Sequence, residues 1–222
     1  MDTRRAEAFS DGVFAVAITV LVFGLLSIGT HVLSARVLLH AWPNYFAYVV
    51  SFITIGIMWM NHHTILAHVN RVDRPLLVLN LLLLMGVVAI PFPTALVSEH
   101  LGKAGASAAT VTYGLVMIAI SAGFAAMWVY VVTHASSLGA AVPQGALRES
   151  IPGFTLGGAV YVVATLIAAL WSPVVALIIY GLLGVYYLFE HLPGPAEAPA
   201  PGGPAAGDPG TGEQGTGEPG TG

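Results

Sequence analysis

The chain has 222 residues, 56% of them hydrophobic and only 8% charged, with a formal net charge of −4 and no cysteine. Soluble domains carry about 25% charged residues, so this composition belongs to an integral membrane protein. The missing cysteines exclude disulfides, thiolate metal sites and cysteine nucleophiles. Seven Lys and Arg, scattered along the chain, form no phosphate-binding face and give no reason to expect nucleic acid as a partner.

The first segment starts polar, with Arg4, Arg5, Glu7, Ser10 and Asp11, then runs apolar to Ile28, broken by Thr19, Gly24 and Ser27. At 1.5 Å per residue such a run gives roughly 30 Å of helix, enough to cross a bilayer. It is too long for the apolar region of a cleavable signal. A carboxylate inside its start costs about 2.5–3.5 kcal/mol at the bilayer midplane and less near the interface, so Asp11 is expected to face protein or water. At about 100° per residue, Val16, Thr19, Val20 and Phe23 share one stripe, and Ser10 and Asp11 fall well off it.

Five further apolar segments follow, at 42–67, 76–97, 106–133, 151–170 and 174–188. Pro91 and Pro93 should kink or end the third, because proline lacks an N–H and clashes one turn back. The Ala-, Gly- and Ser-rich fourth segment suits close packing in lipid. Trp171-Ser172-Pro173 predicts a tight interfacial turn between the last two. The six spans together predict an all-α integral membrane fold. With the N-terminus inside, the inner segments carry Arg4, Arg5, Arg71, Arg74 and Arg148, and the outer loops carry Arg36 and Lys103. This asymmetry predicts both termini in the cytoplasm. Residues 1–191 form the transmembrane domain on this reading. The Pro/Gly-rich stretch 192–222, in which Gly-Thr-Gly recurs, has too little apolar surface to offset ordering and is expected to be a disordered cytoplasmic tail.

The polar residues inside the spans are the candidate functional ones. Ser10 and Asp11 suit a cation site, a proton site or a structural hydrogen-bonding pair; their angle away from the Val16–Phe23 stripe favours the structural role. His62 and His63 point about 100° apart on a helix and make a poor shared metal site, and His68 is five residues from His63. Buried hydrogen bonding and pH sensing remain for them. Asn80, inside the third segment, needs partners on another helix. Asp73, between Arg71 and Arg74, suits the start of that helix. Thr19 is the one hydroxyl on its stripe, and it either bonds its own preceding carbonyl or offers oxygen to something on that face. No Gly-rich phosphate loop, Gly-x-Ser-x-Gly or His-Glu-x-x-His occurs, so no enzyme is indicated. A Thr-Val-Gly-Tyr-Gly filter is missing too.

Arg5 followed by Phe9-Ser10-Asp11, then Gly12-Val13-Phe14-Ala15-Val16-Ala17-Ile18-Thr19, resembles the signature of the transmembrane protein 175 family of potassium channels, in its bacterial branch. Trp59, His62-His63, Asp73, Asn80 and Pro91-Phe92-Pro93-Thr94 extend the resemblance through the first half; the second half is similar in hydropathy only. The resemblance implies a homotetramer in the cell membrane with K+ as permeant ion and no cofactor. It implies a first helix lining the central pore, with Val16, Thr19, Val20 and Phe23 as hydrophobic and threonine layers; Val and Phe stand here where Leu or Ile is usual. It further implies a structural network of Arg5, Ser10, Asp11, Trp59, one or both of His62 and His63, and Asn80. The competing expectation is a proton-coupled or small-solute transporter using Asp11, His62/His63 and Asn80, although no repeat relates the two halves. A membrane scaffold with a partner-binding tail is a third.

Overall fold

A computed structural model describes residues 3–26, 34–140 and 146–189, and their regular structure is helical. The first segment forms α1, Thr3–Val20, which tightens into a 3-10 turn over Leu21–Leu25. Ser34 caps the short α2, Ala35–His40, by accepting from the Val37 N–H at 3.3 Å. Then come α3, Trp42–Ala67, α4, Arg74–Ala89, and α5, Pro91–His100. The chain continues with α6, Ala106–Thr133, the single-turn α7, Ala135–Leu138, then α8, Ala146–Leu170, and α9, Pro173–Phe189.

Among the described residues, four helical stretches are long and apolar enough to cross a membrane: Thr3–Leu25, Trp42–Ala67, Arg74–His100 and Ala106–Thr133. The last two predicted segments, 151–170 and 174–188, fall in α8, Ala146–Leu170, and α9, Pro173–Phe189, whose described apolar parts are Gly157–Leu170 and Pro173–Tyr187. The protein is thus a multi-pass, all-helical membrane protein. The predicted tail, 192–222, lies outside the described residues.

Two sequence expectations are refined by hydrogen bonding. The first segment was expected to stay α-helical to Ile28, but α geometry ends at Val20. Beyond it the backbone closes i→i−3, as in the Leu26 N–H to Phe23 carbonyl bond of 3.1 Å. Helix ends lack i→i−4 partners, and 3-10 bonds satisfy the last carbonyls. The prolines in the third segment act at one point. Pro91 has no N–H for the Val87 carbonyl, so the Ile90 N–H takes it at 3.1 Å, which separates α4 from α5 within one span.

α1 packs against α3 and α4, while α6 packs against α4, α5 and α8. α1 buries Thr3, Ala6, Ser10, Phe14 and Ala17, the spacing of one helical face. Small residues bring α6 close to its neighbours. A methyl group on Gly86 would lie 2.8 Å from Ile120 Cγ1, and one on Gly123 would lie 3.2 Å from Leu83 Cδ1. A methyl on Gly114 would collide with the Thr165 and Tyr180 hydroxyls, which hydrogen-bond each other at 2.9 Å. Gly181 on α9 has open space around it.

At the end of the bundle shared by the α3–α4 turn and the C-terminus of α6, Asp73 caps α4. Its Oδ1 accepts from the Leu76 N–H at 3.0 Å and its Oδ2 from the Tyr130 hydroxyl at 2.7 Å. Burial raises the Asp73 carboxyl, but the Tyr130 hydroxyl and the Leu76 amide outweigh it and hold the group below its ordinary value. Nearby, the Asn70 side chain donates to the Gly139 carbonyl at 2.7 Å; Gly139 has φ of 59°, a conformation other residues rarely take.

Two outcomes are expected. Gly114→Ala should lower stability by about 1–3 kcal/mol through overpacking, whereas Gly181→Ala should leave it unchanged or raise it slightly; thermal unfolding in detergent reads both. A depressed carboxyl stabilises fully above its unfolded value and loses that contribution as pH falls through the folded one. The acid limb of the stability profile, below about pH 4, should therefore be shallower in Asp73→Asn than in the native chain.

Candidate functional site

Ser10, His62 and Asn80 converge where α1, α3 and α4 meet, and all three are buried. Asn80 Nδ2 donates to Ser10 Oγ at 2.9 Å, and Ser10 Oγ donates in turn to the Ala6 carbonyl at 2.8 Å. The Asn80 Oδ1 that remains lies 2.7 Å from His62 Nε2. With the amide nitrogen already committed to Ser10, that oxygen is the acceptor and His62 carries its proton on Nε2. Its Nδ1 is buried without a partner, and the ring packs against Phe14 with centroids 5.3 Å apart. The result is a directional chain, His62 to Asn80 to Ser10 to the α1 backbone, joining three helices with neutral groups.

A second set lies on a more accessible side of the same α1–α3 seam. Trp59 Nε1–H donates to Asp11 Oδ1 at 2.8 Å. Glu7 Oε1 pairs with His63 Nδ1 at 2.7 Å. The Trp59 and His63 rings stack with centroids 6.1 Å apart. Residues four apart share a helix face, so Glu7 and Asp11 on α1 meet Trp59 and His63 on α3 as two rungs of an antiparallel pair.

The adjacent histidines therefore divide: His62 belongs to the buried chain and His63 to the accessible carboxylate pair. Asp11 and Asn80 share no hydrogen bond. Arg5 is exposed and bonds to none of the others in the cluster. His68 is buried elsewhere, with Nδ1 2.7 Å from the Thr64 carbonyl and its ring edge-on to Trp128. Among the described residues, no group of three or more His, Asp or Glu side chains is placed to hold a metal ion. Sequence reasoning missed Glu7 and Phe14 as members of this region. The signal for Glu7 was its spacing of four residues from Asp11, repeated by Trp59 and His63.

The stripe residues of α1 lie on its other side. Val16 is 56% and Phe23 63% exposed; Thr19 is exposed and Val20 partly so. Thr19 Oγ1 donates to the Val16 carbonyl at 2.9 Å. That bond uses the hydroxyl proton and leaves oxygen lone pairs on the exposed surface.

The helical membrane bundle thus carries a buried polar tie on one side of α1 and an exposed stripe on the other, and the proteins it resembles are ion channels. Residues 5–91 match the family described as endosomal/lysosomal potassium channel TMEM175. A protein named as a potassium channel from Streptomyces collinus is 42% identical over 209 residues, covering 90% of this chain and 98% of the relative. Another named potassium channel, from Chamaesiphon minutus, is 39% identical over 172 residues, covering 73% of this chain and 82% of the relative. The crystal structure of a lysosomal potassium-selective channel TMEM175 homolog from Chamaesiphon minutus superimposes with a TM-score of 0.74 at 34% identity, covering 84% of this chain and 96% of that one. The chain belongs to the TMEM175 family.

Removing the Asn80 side chain strands both the His62 Nε2–H and one acceptor site on Ser10. A stranded buried polar group costs about 1–3 kcal/mol, so Asn80→Ala should lower the unfolding temperature clearly. Glu7→Gln weakens only an accessible ion pair, a class worth about 0–1 kcal/mol, and should shift it little. Comparable losses in the two variants would show that the buried chain is not the dominant tie.

Proposed function

We propose that this protein is a potassium-selective channel, a homotetramer in the cell membrane with α1 of each copy around a central pore. The observation that carries this reading is the exposed face of α1. Val16, Thr19 and Phe23 are held outward on a helix anchored by its opposite side, and the only hydroxyl among them has spent its proton on the backbone. One lining helix cannot enclose a pore, so copies must combine; the number four comes from the family resemblance. Six crossings per chain and cytoplasmic termini complete the proposal, with the arginines of 4–5 and 71–74 at the inner end and 192–222 as a tail outside the channel.

On this reading Val16 and Phe23 form apolar rings separated by about 12 Å, from 1.5 Å per α residue and 2.0 Å per 3-10 residue. An ion passing them loses water and gains no ligand, a barrier set by width and wetting. Thr19 oxygens between the rings compensate part of that loss, and Val20 fills the wall beside them. Potassium moves passively down its gradient. The relay needed for the transporter alternative, Asp11 with His62/His63 and Asn80, finds less support, since these groups bond to separate partners: Asp11 to Trp59, His63 to Glu7, and His62 to Asn80.

Flux into liposomes containing the purified chain tests the proposal. Val16→Asn puts a water-holding amide on the ring and should raise cation flux severalfold while narrowing the potassium-to-sodium difference. Leu81→Asn, at a comparably exposed apolar position on α4, should change flux less. Equal effects at the two sites in folded protein would remove α1 from the pore.

A further inference from the structure

α2 buries none of its residues, yet it stands directly before the span that begins at Trp42. Pro43, in the first turn of α3, has no N–H to donate to the Leu39 carbonyl. Regular α-helix is interrupted at Ala41, with φ −79° and ψ 10°, where α2 ends and α3 begins. Leu39, Trp42, Phe46, Val49 and Ile53 are all exposed. The spacing of Trp42, Phe46, Val49 and Ile53 by three and four residues draws one line down α3, and Leu39 precedes it on the last turn of α2. From Trp42 to Ile53 this line is roughly 16 Å long at 1.5 Å per residue, about half of a 30 Å hydrocarbon core. It has the length of one leaflet.

At the head of the line is a single permanent charge. Residues 34–53 contain no Asp or Glu, and Arg36 is their only Lys or Arg. Arg36 is exposed and forms no ion pair among the described residues. The His40 ring is held against the helix through Nδ1, 2.9 Å from the Arg36 carbonyl. At the end of the bundle where Asn44 lies 3.4 Å from Ser98, Lys103 Nζ donates to the backbone carbonyl of Glu99 at 2.8 Å, and the Glu99 carboxylate forms no ion pair with Arg36. A second copy of the chain laid on this face would bring no carboxylate from the same segment to meet Arg36. A phospholipid brings both parts: a phosphate at the boundary, which a guanidinium binds well, and a chain of matching length.

We propose that α2 and the outward face of the first half of α3 form a binding site for an anionic phospholipid, with the headgroup phosphate on Arg36 and an acyl chain along Leu39, Trp42, Phe46, Val49 and Ile53. The site needs only that the chain spans a membrane and does not rest on what the channel conducts.

Tryptophan quenching by lipids with brominated chains tests this in the full-length protein. The chain has four tryptophans, so the Trp42 signal is the difference between the native chain and Trp42→Phe, both in phosphatidylcholine vesicles. Brominated phosphatidylglycerol should quench Trp42 about fivefold more effectively than brominated phosphatidylcholine at equal mole fraction, the preference one arginine near a membrane surface supplies. Arg36→Gln should abolish that preference and leave quenching by phosphatidylcholine intact. Equal quenching by the two lipids in the native chain would reduce the face to bulk lipid contact and overturn the proposal. No quenching by either would show it covered by protein and overturn it as well, and a preference that survives Arg36→Gln would overturn the headgroup assignment. Because the chain has no cysteine, a bimane fluorophore on Leu39→Cys, quenched by the same lipids, repeats the comparison if Trp42→Phe does not fold.

Discussion

The Asn80 side chain is the constraint on which the rest of the structure depends. An amide placed inside a membrane helix cannot turn to water, and lipid offers it no partner. Here it is satisfied from two other helices at once, giving its N–H to Ser10 on α1 and its oxygen to His62 on α3. Polar contacts of this kind are worth only about 0.6 kcal/mol on average in membranes. Their effect on geometry is larger, because each unmade alternative leaves a buried group stranded. The tie therefore fixes rotation more than it adds stability.

That rotation has a consequence nine residues away. With Ser10 turned inward, Thr19 lies about 900° further along α1, half a turn off after whole turns are removed. Holding Ser10 in the core therefore places Thr19 on the opposite, exposed side. Phe14 and Ala17, within about 40° of Ser10 around the helix, are buried with it, while Val16 is exposed with Thr19. The proposed conducting surface and the buried tie are two faces of one helix. The 3-10 turn at Leu21–Leu25 then carries Phe23 further along the axis than continued α-helix would.

The seam between α1 and α3 also sorts charge by depth. Neutral groups, His62, Asn80 and Ser10, occupy the fully buried positions, and the carboxylates of Glu7 and Asp11 take the side that water or a neighbouring molecule reaches. An ion in a low-dielectric interior needs a partner of high quality to offset its lost hydration, and the accessible side relaxes that requirement. Around α6 close packing accompanies the polar ties, such as the Thr165–Tyr180 bond beside Gly114. Glycines at 86, 114 and 123 allow α6 to approach its neighbours, as expected where lipid supplies no hydrophobic drive between helices.

By itself the sequence determined the membrane class, the segment boundaries to within a few residues, and the break at Pro91, because apolar length and the missing proline N–H are local properties. It also put Ser10, His62, His63 and Asn80 among residues needing partners, since a polar group in an apolar run must be satisfied wherever it goes. Which partner each found was decided by tertiary structure alone. Adjacent histidines look alike in sequence, and only the rotation of α3 against α1 and α4 sends His62 to Asn80 and His63 to Glu7. Arg5, grouped with them by resemblance, is exposed. The end of α geometry at Val20 was equally invisible, because α and 3-10 windings of Leu21–Leu25 differ in backbone bonding and not in composition. Hydropathy reports how far a chain must go to cross lipid. The angle at which its helices face one another comes from contacts between residues far apart in the chain.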